Sequence, residues 1–171
     1  MKYIDIELSK FFFDLGGSFP HWVIAFFATY LIWIMGILVF FVVKKKSVHP
    51  VRTLLFLFVA ATLAYALNFI IGYLFFRQRP FEALGLDPLI DVAYPKKSFP
   101  SDHAAVVFSA GAYIFLRYKK IAYFLIALAL FVSIGRVLAG VHYVSDVLAG
   151  AVVGIGSALA VIYILEKKLK I

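Results

Sequence analysis

Cysteine is absent from this 171-residue chain, which removes disulfides and thiolate chemistry from consideration. Side-chain amides are nearly absent too, with Asn68 and Gln78 the only two, and charged residues make up 15% of the chain against about 25% in ordinary soluble domains. No lysine falls between Lys46 and Lys96. What remains is 64% hydrophobic, with a mean hydropathy of +0.99. So apolar a composition excludes an ordinary soluble domain and predicts a single all-α integral membrane domain over residues 1–171.

Apolar runs extend from Trp22 to Val43, Leu54 to Phe76, Ala104 to Leu116, Ile121 to Ile134 and Val147 to Leu165. About 20 residues are needed to span a bilayer, so a bundle of about five transmembrane helices is expected. The runs near Ala104 and Ile121 reach that length only if the polar residues at their ends are included, which puts those residues at, or slightly within, one interface. Residues 1–15 have a different pattern. Ile4, Leu8, Phe11, Phe12 and Leu15 recur at helical spacing, with Lys2, Asp5, Glu7, Lys10 and Asp14 on the other side. This predicts an interfacial amphipathic helix in the headgroup plane, not a signal peptide, ended by Gly16, Gly17 and Pro20.

The basic residues set the sidedness. Lys44, Lys45, Lys46, Arg52, Arg117, Lys119, Lys120, Lys167, Lys168 and Lys170 fall on one side of a five-span chain, ten against the seven of Lys2, Lys10, Arg77, Arg79, Lys96, Lys97 and Arg136. The side with ten is expected to be cytoplasmic, in a multi-pass protein of a cell inner membrane, with the other side facing the periplasm or exterior. The net charge of +8 is divided between two membrane faces and forms no continuous stripe interleaved with aromatics, which excludes nucleic acid as a partner. The bilayer itself is the expected partner.

Alternating spans bring Arg79, Ser101, His103, Arg136 and His142 to the same outer level. Two arginines suit a phosphate, since guanidinium offers paired donors matched to its oxygens. Pro100-Ser101 reads as a helix start that leaves the N–H groups of Asp102 and His103 for an anion. Simple capping by Ser101 or Asp102 is the plainer alternative. His142 and Asp146 are one helical turn apart, so the carboxylate can accept from one ring nitrogen and leave the other free to attack. Gly140 is expected to mark the turn that lets Arg136 and His142 meet. Zinc ligation by His103, His142 and Asp146 is a rival reading, but Arg79 and Arg136 beside them would repel a cation, so no metal is expected. Gly150 and Gly154 predict close helix packing, Asn68 an interhelical hydrogen bond, and His21 and His49 interfacial positions.

Together, Arg79-Pro80, Pro100-Ser101-Asp102-His103, and Arg136 followed by His142 and Asp146 resemble the three-part signature of the type 2 phosphatidic acid phosphatase superfamily. The resemblance implies that His142 is a nucleophile forming a phosphohistidine, that Asp146 orients it, and that His103 is the general acid. It further implies that Arg79, Arg136 and Ser101, with the backbone of Asp102, bind phosphate, and that no cofactor takes part. The implied substrate is a membrane phospholipid or isoprenoid phosphate such as lipid A 1-phosphate, undecaprenyl diphosphate, phosphatidylglycerol phosphate or phosphatidic acid. The alternatives are phosphate transfer to an acceptor lipid, and a non-catalytic lipid-phosphate binder or flippase. Three positions depart from the family pattern. Its lysine seven residues before Arg79 is Gly72 here, its serine before Arg136 is Gly135, and Asp102 stands where glycine is common. Arg77 and Lys97 are the candidates to replace the missing lysine.

Overall fold

The computed structural model describes residues 2–92 and 97–167, so Lys96, Lys168 and Lys170 of the sidedness argument lie outside the described residues. Helix α1 covers Lys2–Gly17. A long rod follows, made of α2 (His21–Ala25), a π-helical turn (Phe26–Tyr30) and α3 (Leu31–Lys46). Next come α4 (Pro50–Leu74), the short α5 (Pro80–Leu84), α6 (Asp102–Phe115), α7 (Lys119–Leu138) and α8 (Val144–Val161), which runs on into a π-helical segment, Ile162–Lys167.

Among the described residues, four rods are long and apolar enough to cross a membrane: His21–Lys46, Pro50–Leu74, Lys119–Leu138 and Val144–Leu165. The fifth apolar run forms α6, whose 14 residues reach only about 21 Å at a rise of 1.5 Å per residue, short of a hydrocarbon core of about 30 Å. It is nonetheless the hub of the bundle, packed against α4, α7 and α8. At its start the Ser101 N–H donates to the Asp146 carbonyl at 3.0 Å. Just past its end, Arg117 lines a cleft with Ser47, His49 and Arg52. Surrounding helices shield α6 along its length, so it joins the two ends of the bundle without spanning lipid by itself.

The helices bury narrow stripes and turn the rest outward, as expected where lipid is the solvent. In α3 the inward stripe is Leu31, Met35, Val39 and Val43, while Trp33, Ile37 and Phe41 are exposed. In α4 the buried stripe runs through Ala60, Ala64 and Asn68 to Gly72, where the missing side chain leaves room at the last turn. Gly150 and Gly154 behave as expected. A Cβ at either would collide with the Ser101 or Ala105 carbonyl, so α6 and α8 meet backbone to backbone.

The polar side of α1 departs from expectation. Glu7, Lys10 and Asp14 are exposed, but Asp5 is half-buried and Ser9 fully buried against the start of α8. Ser9 Oγ accepts from the Val144 N–H at 3.1 Å, and Asp5 Oδ1 accepts from the Ser145 N–H at 3.0 Å. Two of the donors left unpaired at the start of α8 are therefore capped by a helix far away in sequence. Ile4, Leu8, Phe11 and Leu15 stay exposed on the far face, while Phe12 packs inward beside Val137 and Val147.

The π turn has a partner as well. A Cβ at Gly135 would lie 2.8 Å from Ala28 N and 2.9 Å from Phe27 C, so α7 crosses the bulged backbone with no room for a side chain. This accounts for the absence of serine before Arg136. Gly135→Ala is expected to destabilise the protein by about 1–3 kcal/mol through overpacking, and Gly135→Ser by at least as much, read as a lower midpoint of thermal unfolding in detergent. An unchanged midpoint for both would refute the contact.

Candidate active site

His142 lies in the turn between α7 and α8, which Gly140 makes possible with φ of 74°. The loop is pinned from several sides. The Phe81 N–H donates to the Gly140 carbonyl and the Leu89 N–H to the Ala139 carbonyl, both at 3.2 Å. Arg79 Nη1 donates to the Val141 carbonyl, also at 3.2 Å. A Cβ at position 140 would strike the Phe13 ring, so α1 closes over the turn.

The imidazole is held differently from the arrangement expected from its spacing to Asp146. Its Nδ1 lies 2.8 Å from the Ser98 carbonyl, an acceptor only, so Nδ1 carries the proton and Nε2 keeps its lone pair. Asp146 Oδ2 is 3.6 Å from Nδ1, in electrostatic contact but beyond hydrogen-bond length. That carboxylate is instead saturated by the Ser98 hydroxyl, the Tyr143 N–H at 2.8 Å and Arg77 Nη1 at 3.1 Å. Ser98 thus touches both members of the pair, through its carbonyl and its hydroxyl. Sequence reasoning missed it, because a backbone acceptor carries no residue signature.

The two arginines converge on this histidine. Their charges act on it from Arg79, at the start of α5, and from Arg136, in the last turn of α7. Arg136 Nη1 donates to the Ala28 carbonyl of the π turn at 3.2 Å, while its buried Nε has no hydrogen-bond partner among the described residues. His103, in the first turn of α6, lies within electrostatic reach of Arg136, His142 and Arg79. Ser101 is fully buried and caps α6, its Oγ accepting from the Ala104 N–H at 3.5 Å, which leaves its own proton to donate. The capping reading and a phosphate contact are therefore compatible.

Asp102 Oδ1 accepts from Asn68 Nδ2 at 3.0 Å and from Lys97 Nζ at 2.8 Å. Asn68 makes the expected interhelical bond and ends it on a motif residue. Lys97 crosses Gly72, where a Cβ would lie 2.7 Å from Lys97 Cδ and 3.4 Å from its Nζ. The volume left by the absent side chain at position 72 is filled by a lysine from the loop.

Arg77, the other candidate for a third phosphate cation, points elsewhere. Its guanidinium donates to Asp5 Oδ2 at 2.8 Å, to Ser145 Oγ at 2.8 Å and to Asp146 Oδ1 at 3.1 Å, and its Cζ sits 3.4 Å over the Tyr143 ring. It lies behind Asp146, on the Nδ1 side of His142. Its outer edge borders an open groove of about 540 Å³ between Ile6, Phe75, Phe99 and Tyr143.

Burial, reinforced by Arg136 and Arg79 and opposed by Asp146, pushes the His142 imidazole down from its ordinary 6.5 to about 4. Burial also lowers Arg79, against the pull of Asp102, Glu82 and Asp146. No three of the His, Asp and Glu side chains converge as a metal ion requires among the described residues. The site thus combines a neutral, oriented imidazole with arginine side chains converging beside it, a constellation suited to attack on a bound phosphate.

The chain is 33% identical over 169 residues to a bacitracin transport permease protein, BcrC, of Bacillus licheniformis, covering 96% of this chain and 82% of that protein. It is 35% identical over 89 residues to the undecaprenyl-diphosphatase BcrC of Bacillus subtilis, covering 52% and 46%. Among solved structures, LpxE of Aquifex aeolicus shares the fold with a TM-score of 0.70 at 23% identity, over 92% of this chain and 93% of that one. A PAP2 type phosphatidylglycerolphosphate phosphatase from Bacillus subtilis aligns with a TM-score of 0.58 at 26% identity, over 97% and 86%. Residues 53–170, which hold every motif position discussed here, match the PAP2 superfamily, and this multi-pass membrane protein belongs to it.

Proposed function

We propose that this protein is a metal-independent lipid phosphatase that works through a phosphohistidine at the outer face of a cell inner membrane. The observation that carries the reading is His142, with Nδ1–H committed to the Ser98 carbonyl, the lone pair left on Nε2, and Arg79 and Arg136 near enough for their charges to act on the ring. Nε2 attacks the phosphorus, the bond from phosphorus to the leaving oxygen breaks, and His103 gives that oxygen a proton. Water then attacks the phosphohistidine, giving a proton to His103 as the bond from Nε2 to phosphorus breaks, which returns the lone pair to His142 and releases phosphate. Asp146 and the Ser98 carbonyl stabilise the charge that develops on the ring. Arg79, Arg136, Ser101 and the Asp102 N–H hold the phosphoryl oxygens, and Lys97 supplies the third cation that Gly72 does not.

Undecaprenyl diphosphate is the substrate this reading favours, on the strength of the BcrC relatives. His142→Ala is expected to abolish phosphate release from undecaprenyl diphosphate by purified protein, while EDTA leaves the wild-type rate unchanged. Full activity in the variant would end the nucleophile assignment.

Attack requires neutral imidazole, and protonation through a pKa of about 4 removes it. The acid-side loss of phosphohistidine formation, followed in a single turnover, should therefore be centred near pH 4 and not near 6.5. A decline centred at 6.5 would show that the site does not depress His142.

Lys97→Ala should slow hydrolysis about 10- to 100-fold, the loss of one charge-assisted contact of about 1.5–3 kcal/mol. Gly72→Lys in the Lys97→Ala background should restore part of it, limited by the Phe99 carbonyl 2.9 Å from a Cβ at 72. A rate untouched by Lys97→Ala would remove Lys97 from the phosphate site.

A further inference from the structure

Arg77 is the least explained cation at this end of the bundle, because it contacts neither of the arginines that flank His142 nor the Lys97 and Asp102 pair. Its partners belong to three separate parts of the chain: Asp5 on α1, Tyr143 in the loop, and Ser145 and Asp146 on α8. Asp5 in turn bonds Ser145 through both N–H and hydroxyl, at 3.0 and 2.6 Å. The result is a continuous chain of contacts from the surface helix to the carboxylate behind the nucleophile. Asp5 binds Arg77 at 2.8 Å, Arg77 binds Asp146 Oδ1 at 3.1 Å, and Asp146 Oδ2 stands 3.6 Å from His142 Nδ1.

We propose that Arg77, clamped by Asp5 of α1, is a positioning residue that holds Asp146 behind His142 and sets how much of its negative charge reaches the imidazole. Asp146 is fully buried, so a carboxylate there needs its oxygens fixed by donors, and Arg77 occupies the oxygen that Ser98 and Tyr143 leave open. Asp5 orients the guanidinium and offsets its charge. Without Asp5, more of the positive charge of Arg77 would fall on Asp146. Without Arg77, Asp146 would be free to turn and would act on His142 unshared. Helix α1, whose outer face carries exposed Ile4 and Phe11, thereby becomes part of the catalytic apparatus by its inner face.

The inference rests on His142 being the nucleophile, and opposite shifts in pH dependence test it. The charged and titratable groups facing His142 are Asp146 from α8, Arg136 from α7, Arg79 from the start of α5, His103 from α6, and Arg77 with Asp5 behind Asp146. Removing a cation near Asp146 favours the imidazolium, so the acid limb of phosphohistidine formation should move up in Arg77→Ala. Removing an anion does the reverse, so Asp5→Asn should move it down, each by about half a unit or more.

Steady-state rates on undecaprenyl diphosphate in detergent micelles supply the second readout. Arg77→Ala is expected to lower kcat about tenfold or more with KM within about threefold, since the phosphate contacts remain, and Arg77→Lys should recover part of kcat. A rise in KM alone would make Arg77 a headgroup contact along the groove it borders. Limbs moving the same way in both variants, or unchanged kcat and limb, would overturn the positioning role. If Arg77→Ala does not fold, Asp5→Asn and Arg77→Lys decide the matter by the same measurements. His142→Ala is the control, because activity there would overturn the phosphatase mechanism itself, whereas an inactive His142→Ala beside unaffected Arg77 and Asp5 variants would overturn only the clamp.

Discussion

Between helices in lipid the hydrophobic effect supplies little attraction, because hydrocarbon solvates an apolar side chain as well as a neighbouring helix does. The crossing of α6 and α8 at Gly150 and Gly154 answers that constraint with backbone contact, and the remainder of the site follows from it. The approach lets the Ser101 N–H reach the Asp146 carbonyl, fixing the start of one helix against the start of the other. Ser101 and His103 then share a level with His142 and Asp146, though their positions in the chain are some 40 residues apart. Larger residues at these positions would separate the very termini that carry the chemistry.

Three arginines at one end of a membrane bundle are supported in two ways. Arg79 donates to the Val141 carbonyl and Arg136 to the Ala28 carbonyl, neutral acceptors that fix their geometry. Arg77 is anchored by the carboxylates of Asp5 and Asp146, which offset its charge. The π turn belongs to this scheme, since it places the Ala28 carbonyl at Arg136 and leaves Gly135 pressed against its backbone.

Much of this was legible in the amino-acid sequence, and the limits have physical causes. Hydropathy located the four long rods because length and apolarity are local properties, and glycine marked the turn at Gly140 and the crossing at Gly150 and Gly154 because missing side chains have few other uses there. Helix α6 escaped as a full span because burial by neighbours, not by lipid, makes its short length tolerable. The inner face of α1 was misread because periodicity cannot tell a polar face turned to water from one turned to backbone donors. Ser98 and the π turn gave no signal, since Ser98 meets His142 through its carbonyl and Asp146 through a hydroxyl like that of any loop serine, and the turn is a change in helical register. Choosing between Arg77 and Lys97 required knowing that Asp5 lies 140 residues from the serine it binds.

That separation has a bearing on biogenesis. The chain leaves the ribosome from its N-terminus, so α1 exists with Asp5 and Ser9 unmatched while every other helix is made and inserted. The groups that complete them, Val144 and Ser145, arrive with the last membrane helix, as do His142 and Asp146. Arginines and carbonyls can assemble earlier, but the imidazole and its carboxylate come last. Until the segment from His142 to Asp146 is made, the three arginines at this end of the bundle exist without the imidazole and the carboxylate beside them.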